Sequence, residues 1–114
     1  MKYRELIKDT MEGLKEIGLT PLFPNFDAEG GTSINTEEDK KRLATDHYRA
    51  IEGADAVYFL TPQGYMGTSC KLELGYSIAK DKPVYFSEPT EDVGLDCYAE
   101  DFIPTDSLER FLER

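Results

Sequence analysis

One stretch of this chain gathers the residue types that hold small ligands and act on them: Gly64-Tyr65-Met66-Gly67-Thr68-Ser69-Cys70-Lys71-Leu72-Glu73-Leu74-Gly75-Tyr76. Glu73 falls in the first or second turn of a helix that the spacing predicts from about 68 to 80. A carboxylate there can do nucleophilic or charge-stabilising work on a bound ligand. The alternative is a solvated glutamate favoured by the positive end of its own helix dipole. Gly64, Gly67, Thr68 and Ser69 could form a turn whose backbone N–H groups hold a phosphate or a sugar hydroxyl. The glycines permit positive φ and close approach of a ligand. The plainer reading is a loop that caps the helix, with Thr68 or Ser69 as N-cap. Tyr65 could stack on a base or sugar, or stand at the surface without a role.

His47 is the only residue whose unperturbed pKa lies near neutrality, which makes it a candidate proton donor. It also falls on the apolar stripe of its helix with Leu43 and Ile51, the position of a core histidine. Asp46 beside it points off that stripe. Cys70 near a helix start could carry a depressed pKa and act as a nucleophile or redox thiol, but neither a second histidine nor a paired cysteine supports that, and a small packing residue fits the position. Asp55 borders a strand.

The elements that must position these groups are legible as alternating helix and strand. Tyr3, Ile7, Met11, Leu14 and Ile17 recur at helical spacing, with Gly18 as C-terminal cap. Leu19-Thr20-Pro21-Leu22-Phe23 reads as a short strand, and residues 26–35, with Gly30-Gly31, read as an exposed loop. Thr36-Glu37-Glu38-Asp39 opens a second helix in the manner of a capping box, and Leu43, His47, Ala50, Ile51 and Ala54 form its stripe. Residues 56–60 and 82–86 read as buried strands on either side of the glycine turn and its helix, which makes a βαβ unit. In that helix Leu72, Tyr76 and Ala79 are expected to share a face, with Leu74 and Ile78 adjacent. After Phe86 the chain reads as an acidic, irregular stretch through Asp101, then a short helix capped by Thr105 or Asp106.

Composition narrows the function classes. Apolar content of 39% with 11% aromatics argues for a folded globule, and 114 residues suffice for a single small core. A formal net charge of −10 leaves no basic face for DNA, RNA or an anionic membrane. Neutral or modestly charged small ligands fit better. No apolar run approaches bilayer length and no signal peptide is visible. Two cysteines, Cys70 and Cys97, do not make a disulfide scaffold and suit a reduced cytoplasmic protein. One histidine and two cysteines in unlike contexts give no metal-ligand spacing.

The segment from His47 to Glu88 resembles the nucleoside 2-deoxyribosyltransferase family. The likeness is carried by Ile51, Ala54-Asp55-Ala56-Val57, Gly64-Tyr65-Met66-Gly67, Glu73-Leu74-Gly75-Tyr76 and Lys82-Pro83-Val84. Met1 to Pro24 is similar, more weakly, to the family's first helix and second strand. The resemblance implies a three-layer flavodoxin-like or Rossmann-like α/β domain with a parallel sheet over residues 1–114. It implies that Glu73 attacks the anomeric carbon of a deoxyriboside and forms a glycosyl-enzyme ester, which water or a second base resolves. It further implies a nucleoside or nucleotide as ligand, no metal or organic cofactor, and a homo-oligomer. Gly67 and His47 stand where family enzymes place aspartates. The family's first strand has no counterpart ahead of Tyr3, so the sheet is expected to be incomplete at the N-terminus. A non-catalytic nucleoside- or nucleotide-binding module is the alternative from a different class.

Overall fold

In the computed structural model, residues 4–22 and 36–113 are described. They fall into two compact units, Met1–Gly53 and Ala54–Arg114. Tyr3, Phe23 and the expected loop over residues 26–35 lie outside the described residues.

The first unit contains two helices. Helix α1 spans Arg4–Glu16, with Ile7, Met11, Leu14 and Ile17 half-buried as the periodicity requires. Thr10 is buried on it, and its hydroxyl donates to the Leu6 carbonyl at 2.8 Å. The helix stops at Gly18, whose φ of +90° is left-handed. Its N–H donates to the Lys15 carbonyl at 3.0 Å, and that of Leu19 to the Leu14 carbonyl at 3.0 Å. These two bonds are the Schellman pattern, which needs a glycine at its turning point. The strand expected at Leu19–Phe23 does not form over 19–22. Pro21 removes a ladder donor from the middle of the run, and Leu19 and Leu22 are exposed rather than packed.

Helix α2 spans Glu37–Gly53. Thr36 caps it: its Oγ1 accepts the Asp39 N–H at 3.0 Å. The reciprocal half of the capping box is absent among the described residues, because the short Asp39 side chain turns instead to Arg42. Ile51 is buried, and Leu43, His47 and Ala50 are half-buried on the expected stripe.

The second unit is a parallel α/β arrangement. Strands β1 (Val57–Phe59), β2 (Val84–Phe86) and β3 (Ala99–Phe102) lie side by side in that order, all parallel. Helix α3 (Thr68–Ala79) joins β1 to β2, and the single-turn α4 (Val93–Asp96) joins β2 to β3. The fold class is therefore mixed α/β with a three-stranded parallel sheet, an incomplete flavodoxin-like or Rossmann-like arrangement. The third strand is not the one expected: residues 99–102 occupy it, where an irregular tail was expected. Glu100 is the additional residue at a bulge, which lets Val84 pair with Ala99 and Phe86 with Phe102. Without that bulge, Ala99 and Phe102 would fall on opposite faces.

Strand alternation sorts the side chains onto two layers. Phe59, Val84 and Phe86 face Met66 and Leu74, with Cys70, Ile78, Leu95, Ala99 and Phe102 packed around them. Phe86 is fully buried and meets Phe59 and Phe102 edge to face at centroid distances of 5.9 and 6.0 Å. On the opposite side, Tyr58 and Tyr85 both meet Phe111, at 4.9 and 5.2 Å, from the 3-10 segment Leu108–Glu113. Arg110 of that segment reaches Asp101 at 2.7 Å and the Phe102 carbonyl at 3.1 Å, which ties the C-terminal turn to β3. Helix α3 buries Leu74 and Ser77, while Leu72 is 60% exposed. The expected Leu72–Tyr76–Ala79 face is thus not the buried one. The packed face runs through Cys70, Leu74, Ser77 and Ile78, one residue round from it.

Candidate functional site

The sequence between β1 and α3 forms two tight features in succession. Thr61 leads into a 3-10 turn over Pro62–Gly64, in which Gln63 (φ 55°) and Gly64 (φ 82°) are both left-handed. The turn is closed by Gly64 N–H to the Thr61 carbonyl (2.9 Å) and Tyr65 N–H to the Pro62 carbonyl (3.0 Å). A side chain at Gly64 would be strained both by its left-handed φ and by a Cβ only 3.1 Å from the Pro89 carbonyl oxygen. Met66 then plugs into the core, 7% exposed, and this anchors a segment whose neighbour Tyr65 is half exposed.

Gly67, not Thr68 or Ser69, is the N-cap of α3. Its backbone is extended (φ −76°, ψ 172°), and it offers no side-chain cap. Thr68 and Ser69 are the first two helical residues and both are exposed. Lys71 N–H makes the first intrahelical bond, to the Gly67 carbonyl at 3.0 Å. The N–H groups of residues 68–70 consequently precede the ladder and project from the helix start. A Cβ at Gly67 would lie 3.1 Å from the Tyr65 hydroxyl, so Tyr65 folds back over the cap.

Glu73 lies in the second turn of α3 and is half-buried. Its carbonyl accepts the Ser77 hydroxyl at 2.7 Å. Its charge is felt by Cys70, one turn earlier. Burial pushes the Cys70 thiol up to about 11, and the Glu73 carboxylate adds to the rise. Of the two roles the sequence allowed, the packing residue is the one found: Cys70 packs against the core cluster.

Beside this turn, at the carboxyl ends of β1 and β2, lies an open cleft of about 370 Å³ lined by Gln63, Gly64, Glu88, Pro89, Thr90 and Glu91. Its walls are cross-braced. Thr61 is fully buried; its Oγ1 donates to the Glu88 carbonyl (2.7 Å) and accepts the Glu88 N–H (2.9 Å), while its own N–H donates to Ser87 Oγ (2.8 Å). Glu88 Oε2 accepts the N–H of left-handed Gln63 at 3.1 Å. Further along the second wall, Asp96 accepts from Thr90 N–H (3.0 Å), Thr90 Oγ1 (2.6 Å) and Glu91 N–H (2.9 Å). Desolvation raises the Asp96 carboxyl, but these bonds outweigh it and hold the group below the usual carboxylate range.

Of the residues singled out from sequence, Gly64 lines the cleft, while Tyr65, Gly67, Thr68 and Ser69 continue from it into the start of α3. Glu73 sits one turn beyond that start and does not line the cleft. His47 belongs to the first unit, half-buried on α2 with Leu43 and Ile51. Among the described residues, no group of three or more His, Cys, Asp or Glu could hold a metal ion. Sequence reasoning passed over Thr61, Ser87, Glu88 and Asp96. The available signal was a hydroxyl residue just past each of two apolar strands, with a run of polar residues following the second.

Comparison with known proteins returns no match: no family model, no curated protein and no solved structure corresponds to this chain.

Proposed function

We propose that this protein binds a deoxynucleoside or its 5′-monophosphate and transfers or hydrolyses its N-glycosidic bond, with Glu73 as nucleophile. The observation that carries the reading is the βαβ geometry. A doubly left-handed turn and a helix start lacking a side-chain cap follow β1, beside the exit of its parallel neighbour β2, and Glu73 is one turn into the helix. Open α/β sheets bind ligands outside the carboxyl ends of their strands, and helix starts favour anions. The resemblance of residues 47–88 to nucleoside 2-deoxyribosyltransferases supplies the reaction class.

In the first step, a Glu73 carboxylate oxygen forms a bond to C1′ of the sugar. The C1′–N bond breaks with its electron pair passing to the base, which takes up a proton from solvent or a protein acid, the role for which sequence nominates His47. In the second step, water or the nitrogen of another base attacks C1′ and displaces the carboxylate. Stabilisation of an oxocarbenium-like transition state by a carboxylate is the same electrostatics that retaining glycosidases use. The 64–69 turn would hold the sugar or phosphate.

The test is to incubate the protein with a panel of deoxynucleosides and their monophosphates, with and without acceptor base, and to follow free base by chromatography. Base release is expected, and Glu73→Gln should lower it by at least about a thousandfold. Absence of release from every substrate would remove the enzymatic reading. One observation favours a second reading, a non-catalytic nucleoside-binding module. Gly67 brings no carboxylate to the helix start, and Tyr65 covers the space where one would stand. That reading expects saturable binding without release.

A further inference from the structure

We infer that Thr61 is a positioning residue, through which the loop leaving β2 fixes the shape of the proposed ligand-binding turn. The inference rests on the reading above in placing the ligand on residues 64–69, but its structural half stands independently of it. Thr61 is the one described residue whose side chain and backbone together bond to both Ser87 and Glu88 across the ends of the two strands. Its hydroxyl is both donor and acceptor, to the carbonyl and N–H of the same residue, Glu88. This reciprocal pair is completed by Thr61 N–H to Ser87 Oγ and by Ser87 N–H to the Phe59 carbonyl at 3.0 Å.

The consequence appears two residues later. Gln63 holds a left-handed backbone that non-glycine residues rarely adopt, and its N–H is accepted by the Glu88 carboxylate. Strain of this kind persists only where the surroundings over-determine it. Here the over-determination comes from Glu88, and Glu88 is set in place by Thr61. The approach of Gly64 to the Pro89 carbonyl requires the same register of the two loops. Thr61 therefore acts on the ligand through the turn and touches neither the ligand nor Glu73. A shift of the turn weakens ground-state and transition-state binding alike, which moves KM and leaves kcat.

Thr61→Val keeps the shape and deletes the hydroxyl; Thr61→Ser keeps the hydroxyl and deletes a methyl. Ser87→Ala, which removes the acceptor of the Thr61 N–H, is a second, milder way to loosen the brace should Thr61→Val fail to fold. Amide hydrogen exchange by NMR is measured on each full-length variant, together with KM and kcat for the best deoxynucleoside of the panel. In Thr61→Val, and to a lesser degree in Ser87→Ala, the amides of Gln63, Gly64 and Tyr65 should exchange at least about tenfold faster, while Tyr85 and Phe86 stay protected. KM should rise about tenfold with kcat within about twofold of wild type, and Thr61→Ser should restore both properties.

Unchanged exchange at 63–65 in both loosened variants overturns the inference. So does a Thr61→Ser variant as impaired as Thr61→Val, or a fall in kcat with unchanged KM. A wild-type protein that releases no base removes the enzymatic reading alone, because the exchange measurement still decides whether Thr61 braces the turn.

Discussion

The thiol of Cys70 and the carboxylate of Glu73 share one flank of α3, and the two groups oppose each other. A helix start draws a thiol toward ionisation, whereas an apolar surround and a nearby carboxylate resist it. At Cys70 the resistance wins, with burial as the larger cause, and the thiol titrates near 11. A group raised in this way holds its proton through the physiological range, and the stability that goes with it declines only as pH climbs past the unfolded value near 8.5 toward 11. The two cysteines should therefore be told apart by alkylation. With iodoacetamide at pH 8, exposed Cys97 should label first, and Cys70 slower by roughly a hundredfold until urea unfolds the chain. Peptide mass spectrometry gives both rates. Glu73 gains from the contrast: the group next to it stays neutral and does not add a second negative charge.

Helix α3 and its cap show which elements could be inferred from residues alone. The βαβ unit, both of its strands, the C-cap of α1 and the N-cap of α2 follow from apolar runs and from glycine or threonine at the ends. Those signals are local. The packed face of α3 is not set locally, because both faces carry apolar residues, Leu72 and Tyr76 on one, Leu74 and Ile78 on the other. Packing against β2 decides between them. Strand β3 escaped notice because Glu100 and Asp101 break its apolar pattern, and its pairing depends on a bulge and on Arg110 from a later segment. The turn and the helix over residues 64–79 are legible in the glycines and apolar spacing; the brace from Thr61 to Glu88 joins positions 27 residues apart and leaves no local trace. The cap also supports a prediction. The extended backbone at Gly67 suits an aspartate N-cap, and the nearest atoms a side chain there would meet belong to the far end of Tyr65. Gly67→Asp should swing that ring outward, stabilise α3 by a few tenths of a kcal/mol and raise Tm by about 1–2 °C. Under the proposed function it should also increase base release, by placing a carboxylate at the start of α3 one turn ahead of Glu73. Calorimetry and chromatography read the two effects separately.

At the scale of the whole chain, a charge of −10 on 114 residues sets the conditions under which the fold is stable. Self-repulsion opposes compaction and is screened by salt. Raising sodium chloride from about 20 mM to about 500 mM should therefore lift Tm by a few degrees, measured by circular dichroism, despite the loss of exposed ion pairs such as Lys41–Glu37. The charge also reaches the interior. Tyr58 donates its hydroxyl to the Ile103 carbonyl beneath Phe111; burial first, and then the negative charges of Asp106 and Glu88, push its phenol above the ordinary range. Its contribution to stability is intact below the unfolded value near 10 and is lost as pH rises beyond it. The chain has seven tyrosines and no tryptophan, so its near-ultraviolet spectrum belongs to tyrosine. Titrated with alkali and followed at the phenolate band, Tyr58 should ionise only as helical circular dichroism is lost, and a Tyr58→Phe variant should lack that late step. The contact that pins β1 to the end of β3 thus doubles as an intrinsic optical gauge, and the sheet can be watched coming apart without any added label.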